Sequence, residues 1–135
     1  MSFDQVNIEF SSLDKFSIAY LKEHLAPRTI ALLRLKLKRS PYRTRAVVRD
    51  DQIAFPIKLG RVGAEGSKAR KNVKEGEIAY WPQSEVLCVF TKDTTTYTAV
   101  NVLGQVEDMN FFMNLKMSAP VKLRYVPVED DEEPV

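Results

Sequence analysis

The feature that most constrains this chain is the alternation of apolar and polar residues in short runs bounded by turn-forming clusters. Gln5-Val6-Asn7-Ile8-Glu9-Phe10 alternates at period two, the signature of a strand with one buried face. Ser11-Ser12-Leu13-Asp14 reads as a turn, and Lys15 to Leu21 as the returning strand of a hairpin. Further strands are expected over Tyr42 to Arg49, Gln52 to Leu59, Glu77 to Trp81, Val86 to Thr91, Tyr97 to Val106 and Val121 to Val126. Pro56 predicts an edge position or a bulge for the strand that carries it.

Two segments break this period. Pro27 suits the first turn of a helix, and Ile30, Leu33 and Leu37 fall on one face, so residues 27–38 are expected to be helical until Ser40-Pro41 stops them. Residues 107–115 predict a second short helix with Phe111, Phe112 and Leu115 inward. Gly60 to Gly76 holds four of the five glycines and predicts a long, mobile loop. Eight strands and two short helices without an internal repeat predict a mainly β fold, a closed barrel capped by helices. The expected organisation is one domain over 1–127 and a disordered acidic tail over 128–135.

Composition narrows the setting. An apolar fraction of 44% and a charged fraction of 28% are those of a globular chain rather than a disordered one. No apolar run is long enough to span a bilayer, and the N-terminus lacks a signal-peptide pattern, so a cytosolic location without membrane contact is expected. One cysteine and one histidine cannot build a usual zinc site, and neither a metal nor a cofactor is expected. Phosphate-loop, dinucleotide and nucleophile-elbow patterns are missing; Gly60-Arg61-Val62-Gly63-Ala64-Glu65-Gly66 reads as loop flexibility. Cys88, in an apolar run, is expected to be a buried and inert thiol.

The net charge of +2 conceals an asymmetry. Residues 22–74 carry 15 Lys and Arg against four acids, whereas 129–133 are all acidic. That split raises a nucleic acid or other polyanion as partner, through Arg34, Lys38, Arg39, Arg43, Arg49, Lys68, Arg70 and Lys71. A solvated basic face offset by the acidic tail accounts for the same charges.

Gly76-Glu77-Ile78-Ala79-Tyr80-Trp81-Pro82, the apolar Val86 to Phe90, and Val100-Asn101-Val102-Leu103-Gly104 together resemble a small prokaryotic family of cyclophilin-like proteins. Ala26-Pro27-Arg28-Thr29 is similar to a stretch shared with true cyclophilins, and the likeness runs from about residue 7 to residue 124. The resemblance implies an eight-stranded closed barrel with two capping helices; it implies little about activity, because fold does not carry reaction. Cyclophilins isomerise prolyl bonds with an arginine, phenylalanines, a glutamine, a tryptophan and a histidine around one pocket. Here Arg45 or Arg43 matches the arginine and Phe55 an aromatic of the pocket. Phe55-Pro56-Ile57-Lys58-Leu59 replaces the glutamine-glycine pattern, and 93–100 holds neither tryptophan nor histidine.

Three readings follow. The first is a module that binds a peptide or small ligand without turnover, its groove drawn from Arg45, Phe55, Tyr80, Trp81, Phe90 and Asn101. The second is a weak, atypical peptidyl-prolyl isomerase. The third is the polyanion binder. Tyr80 and Trp81, adjacent on a strand, must face opposite ways. Asn101, polar within an apolar strand, is expected to hydrogen-bond a neighbouring loop. Either a monomer or a dimer fits the sequence.

Overall fold

The computed structural model describes residues 5–65 and 70–127, with the backbone alone at Arg70. The expected tail over 128–135 lies outside the described residues.

The opening alternation forms β1 (Gln5–Ser12), which pairs with β2 (Lys15–Lys22) from Gln5↔Lys22 to Ser12↔Lys15. Val6, Ile8 and Phe10 are buried, while Asn7 and Glu9 turn outward. A turn on Glu23–Leu25 leads to α1 (Pro27–Arg39), whose Ile30, Leu33 and Leu37 enter the main core. β3 (Tyr42–Arg45) and β4 (Val47–Val48) follow, then β5 (Gln52–Pro56), β6 (Arg70–Val73), β7 (Glu77–Trp81), β8 (Val86–Phe90) and β9 (Thr94–Val106). The short α2 (Met109–Met113) starts on Asp108, whose side chain accepts the Asn110 N–H at 2.9 Å. β10 (Pro120–Val126) ends the described chain.

The hydrogen-bonded order is β3-β10-β1-β2-β9-β7-β8-β5-β4, with β6 pairing to β9 off that path. This corrects the expected closed barrel of eight strands: the described residues form ten strands, and their ladder is not closed by hydrogen bonds. Its two ends, β3 and β4, are neighbours in sequence. Ala46 between them donates to the Ala119 carbonyl at 2.9 Å and accepts the Ser118 N–H at 2.8 Å. The segment expected as one strand over 42–49 is therefore divided at Ala46, serving β10 on one side and β5 on the other. The Thr44 hydroxyl donates to the Pro56 carbonyl at 2.7 Å across the gap. Pro56 itself lies beyond the two-residue pairing with β4, the edge setting a proline tolerates.

Two cores lie on opposite faces of the sheet. The main one holds the α1 stripe and the Phe10, Phe55 and Phe112 rings, with centroids 5.1 to 6.1 Å apart. The second joins Val73 of β6 to Ala79, Cys88, Phe90, Val100 and Val102. The basic, glycine-rich stretch was expected as loop throughout, yet Arg70–Val73 pairs with Thr94–Val100 and covers this second face. β9 serves both layers. Its first half pairs with β6; its second half, after a register shift near Leu103, lies between β7 and β2. Gly104 sits where β9 approaches β2 so closely that a Cβ would lie 1.9 Å from the Tyr20 carbonyl oxygen.

Candidate functional site

Asn101 and its partners tie the 60–65 loop to the start of α1. Asn101 is 1% exposed. Its Nδ2 donates to the Thr29 hydroxyl at 3.1 Å and the Gly63 carbonyl at 2.9 Å, and its Oδ1 accepts the Glu65 N–H at 2.9 Å. The Glu65 carboxylate accepts the N–H groups of Arg28 at 3.0 Å and Thr29 at 2.6 Å, together with the Thr29 hydroxyl. First-turn N–H groups of a helix lack intrahelical partners, and here a carboxylate 36 residues away supplies them. Asn101 thus bonds a neighbouring loop, as its sequence setting predicts, and is fully engaged there.

Three other groove candidates are interior. Phe55 belongs to the ring cluster of the main core, Tyr80 donates its hydroxyl to the Ile57 carbonyl at 3.2 Å, and Phe90 fills the second core. Burial raises the Tyr80 hydroxyl above its ordinary pKa. Trp81 is half-buried against the second core, so the two adjacent aromatics do face opposite ways. The Trp81 indole N–H donates to the Thr98 hydroxyl at 2.6 Å, and the ring borders a shallow depression of about 450 Å³ with Arg49 and Gln52. Cys88 is buried, which pushes its thiol up to about 12.

Arg45 and Arg43 are exposed and alternate with Tyr42, which packs on the main core, and Thr44. Both arginines therefore leave β3 on its outer face, whereas Phe55 points into the main core. The two matches to a prolyl isomerase pocket, a cation and an aromatic, lie on opposite sides of the sheet.

Of the polyanion candidates, Arg34, Lys38 and Arg39 lie on α1, Arg43 on β3, Arg49 after β4 and Lys71 on β6. Arg34 is 3.4 Å from the Glu23 carboxylate, and the Lys38 ammonium stands 5.5 Å above the Tyr125 ring. Arg39, Arg43, Arg49 and Lys71 are exposed. Lys68 lies outside the described residues, and of Arg70 only the backbone is described.

A larger concavity than the one beside Trp81 uses none of the groove candidates. It is an open groove of about 680 Å³ between the β1–β2 turn and α2, within the roughly 300–1,000 Å³ usual for ligand clefts. Leu13, Phe16, Phe111 and Leu115 give it an apolar wall; Asp14, Asn110, Asn114 and Lys116 give it a polar rim. Leu13 is 96% exposed and Phe16 58% exposed. Leu13 also has φ +57°, at the first central position of a two-residue hairpin turn where glycine is at ease and leucine is not. The signal in the sequence was the leucine itself, an apolar residue inside an otherwise polar turn.

A family model described as cyclophilin-like matches residues 4–124. The solution structure of the hypothetical protein AF2241 from Archaeoglobus fulgidus is similar, with a TM-score of 0.73 and 20% identity. That likeness covers 91% of this chain and 96% of the archaeal one, and at such identity it speaks for the fold alone. No curated protein matches the chain.

Proposed function

The chain belongs to the cyclophilin-like family, and on that premise we propose that it is a binding module that holds an extended peptide, without turnover, between the β1–β2 turn and α2. The observation that carries this reading is Leu13, a large apolar side chain almost wholly in water on a left-handed backbone. Asparagine or glycine would relieve both the exposure and the strain, so the fold gains nothing from leucine at that point. A ligand that covers Leu13 and Phe16 does gain. The amides of Asn110 and Asn114 on the rim offer donors and acceptors to a peptide backbone, and the apolar wall accepts its side chains. Turnover is left out of the proposal because Arg45 and Phe55 do not share a face.

An NMR titration with a proline-containing peptide tests this directly, following protein amides and the cis/trans exchange of the peptide together. Shifts clustered on residues 12–16 and 108–116 without faster exchange support the proposal. Leu13→Asn should weaken those shifts while raising stability by about 0.5–1 kcal/mol, since asparagine tolerates the left-handed region. Accelerated exchange, or a Leu13→Asn variant that binds as the parent does, would refute it.

A further inference from the structure

The registers of β3, β10, β1 and β2 align Arg43, Lys122, Ser11 and Phe16 in one row across the sheet, each directly opposite the next. Residues directly opposite in an antiparallel ladder share a face, and here it is the outer one, because Leu123, Phe10 and Ser17 alternate with them inside. Arg45 leaves the same face of β3 two residues along, about 7 Å from Arg43.

The row has an electrostatic peculiarity. Arg43 stands opposite Lys122, a like-charge pair that destabilises a sheet. Among the described residues no ion pair forms to Arg43, Arg45 or Lys122. One pair of residues along, Arg124 meets Glu9 at 3.1 Å, so the same strands neutralise a cation where the fold alone decides. Three cations on adjacent strands with no ion pair among the described residues are a site for an anion with repeated charges. Phe16, 58% exposed, lies two strands from Lys122, roughly 10 Å across the sheet. An exposed ring set beside a track of cations is the arrangement that binds a single strand, with the backbone on the charges and a base on the ring.

We propose that the outer face of β3–β10–β1–β2 binds single-stranded nucleic acid, with Arg43, Arg45 and Lys122 on phosphates and Phe16 stacked on a base. The ring is what separates this partner from an acidic peptide or an anionic lipid surface, which have no base to stack. The inference is independent of the peptide reading, although Phe16 borders both surfaces.

The test is fluorescence anisotropy of a labelled ten-nucleotide oligothymidine with the full chain over a range of salt. Three phosphate contacts predict a slope of log affinity on log salt near −2, about twentyfold weaker binding from 50 to 200 mM salt. Arg43→Ala/Lys122→Ala should bring the slope to about −0.7. Both positions are exposed, and the double variant removes a repulsion, so folding is preserved; an amide spectrum unchanged away from the two sites verifies that. Phe16→Ala should weaken oligothymidine by about five- to hundredfold and leave an abasic strand unaffected. Oligothymidine binding that keeps the parent slope in the double variant would overturn the proposal. So would abasic and thymidine strands binding the parent chain equally, or anionic vesicles competing on equal terms through the same cations. Leu13→Asn should leave oligothymidine affinity intact, so failure of this site and failure of the peptide groove are separable.

Discussion

Replacing Asn101 by alanine removes three hydrogen bonds at one buried position. A net hydrogen bond contributes about 1 kcal/mol, and more where the partner left behind is buried. The three partners differ. The Gly63 carbonyl is on an exposed residue and regains water, and the Glu65 N–H is half-buried. The Thr29 hydroxyl is fully buried but keeps its bond to Glu65. The expected loss is therefore about 2–3 kcal/mol, below the full sum of three buried orphans. With a urea m-value of about 1.5 kcal/mol/M the midpoint falls by about 1.3–2 M. Urea unfolding followed by Trp81 fluorescence measures it. Because Asn101 and Glu65 meet on the Thr29 hydroxyl, Asn101→Ala with Glu65→Ala should be non-additive, with a coupling of about 1 kcal/mol. A single-variant loss under 0.5 kcal/mol, or strict additivity of the pair, would refute the view that this cluster anchors the loop to α1.

Two further outcomes follow from packing. Gly104→Ala places a Cβ 1.9 Å from the Tyr20 carbonyl oxygen and 2.9 Å from the Leu21 Cα, both backbone atoms. β2 and β9 must part, so calorimetry should show a loss of about 3 kcal/mol and a melting temperature lower by roughly 10 °C. Gly63→Ala, with open space around it, should be close to neutral. Cys88, its thiol held near 12 against an ordinary value of 9.0, should resist thiol reagents at pH 8 until the chain unfolds, with only about one molecule in ten thousand ionised. Since the folded state holds that proton more tightly, stability due to Cys88 is complete below pH 9 and declines by up to about 1.4 kcal/mol per unit above it. Parallel denaturation of Cys88→Ala should lack that component of the alkaline slope.

What the sequence disclosed was what depends on neighbours a few residues apart. The β1–β2 hairpin follows from strict alternation, and α1 from Pro27 and the spacing of Ile30, Leu33 and Leu37. β6 was hidden because Arg70-Lys71-Asn72-Val73 has one apolar residue to bury, and its order comes from the partner β9. The start of β9 at Thr94 escapes the pattern because Thr94-Thr95-Thr96 reads as polar, although branched side chains suit a strand. The division at Ala46 is set by a turn more than 70 residues away. Site residues suffered most. Phe55, Tyr80 and Phe90 are groove candidates by sequence and interior residues in the fold, because one-dimensional pattern does not tell interior from groove. The Glu65 cap and the Arg43–Lys122–Ser11–Phe16 row exist only through long-range register, to which composition is blind.

The place of β10 between β1 and β3 bears on the order in which the molecule is assembled. Its ladder to β1 joins residues 111 apart in sequence, as between Ser11 and Lys122. During synthesis β1 and β2 can zip as a hairpin, and β7 can pair with β8 on one side and β9 on the other, before residue 120 is made. Until then β1 and β3 each carry a bare edge, the state most open to pairing with another chain. Completion of the sheet is thus deferred to the arrival of one seven-residue strand, and the nascent chain depends on that strand arriving before a neighbour does.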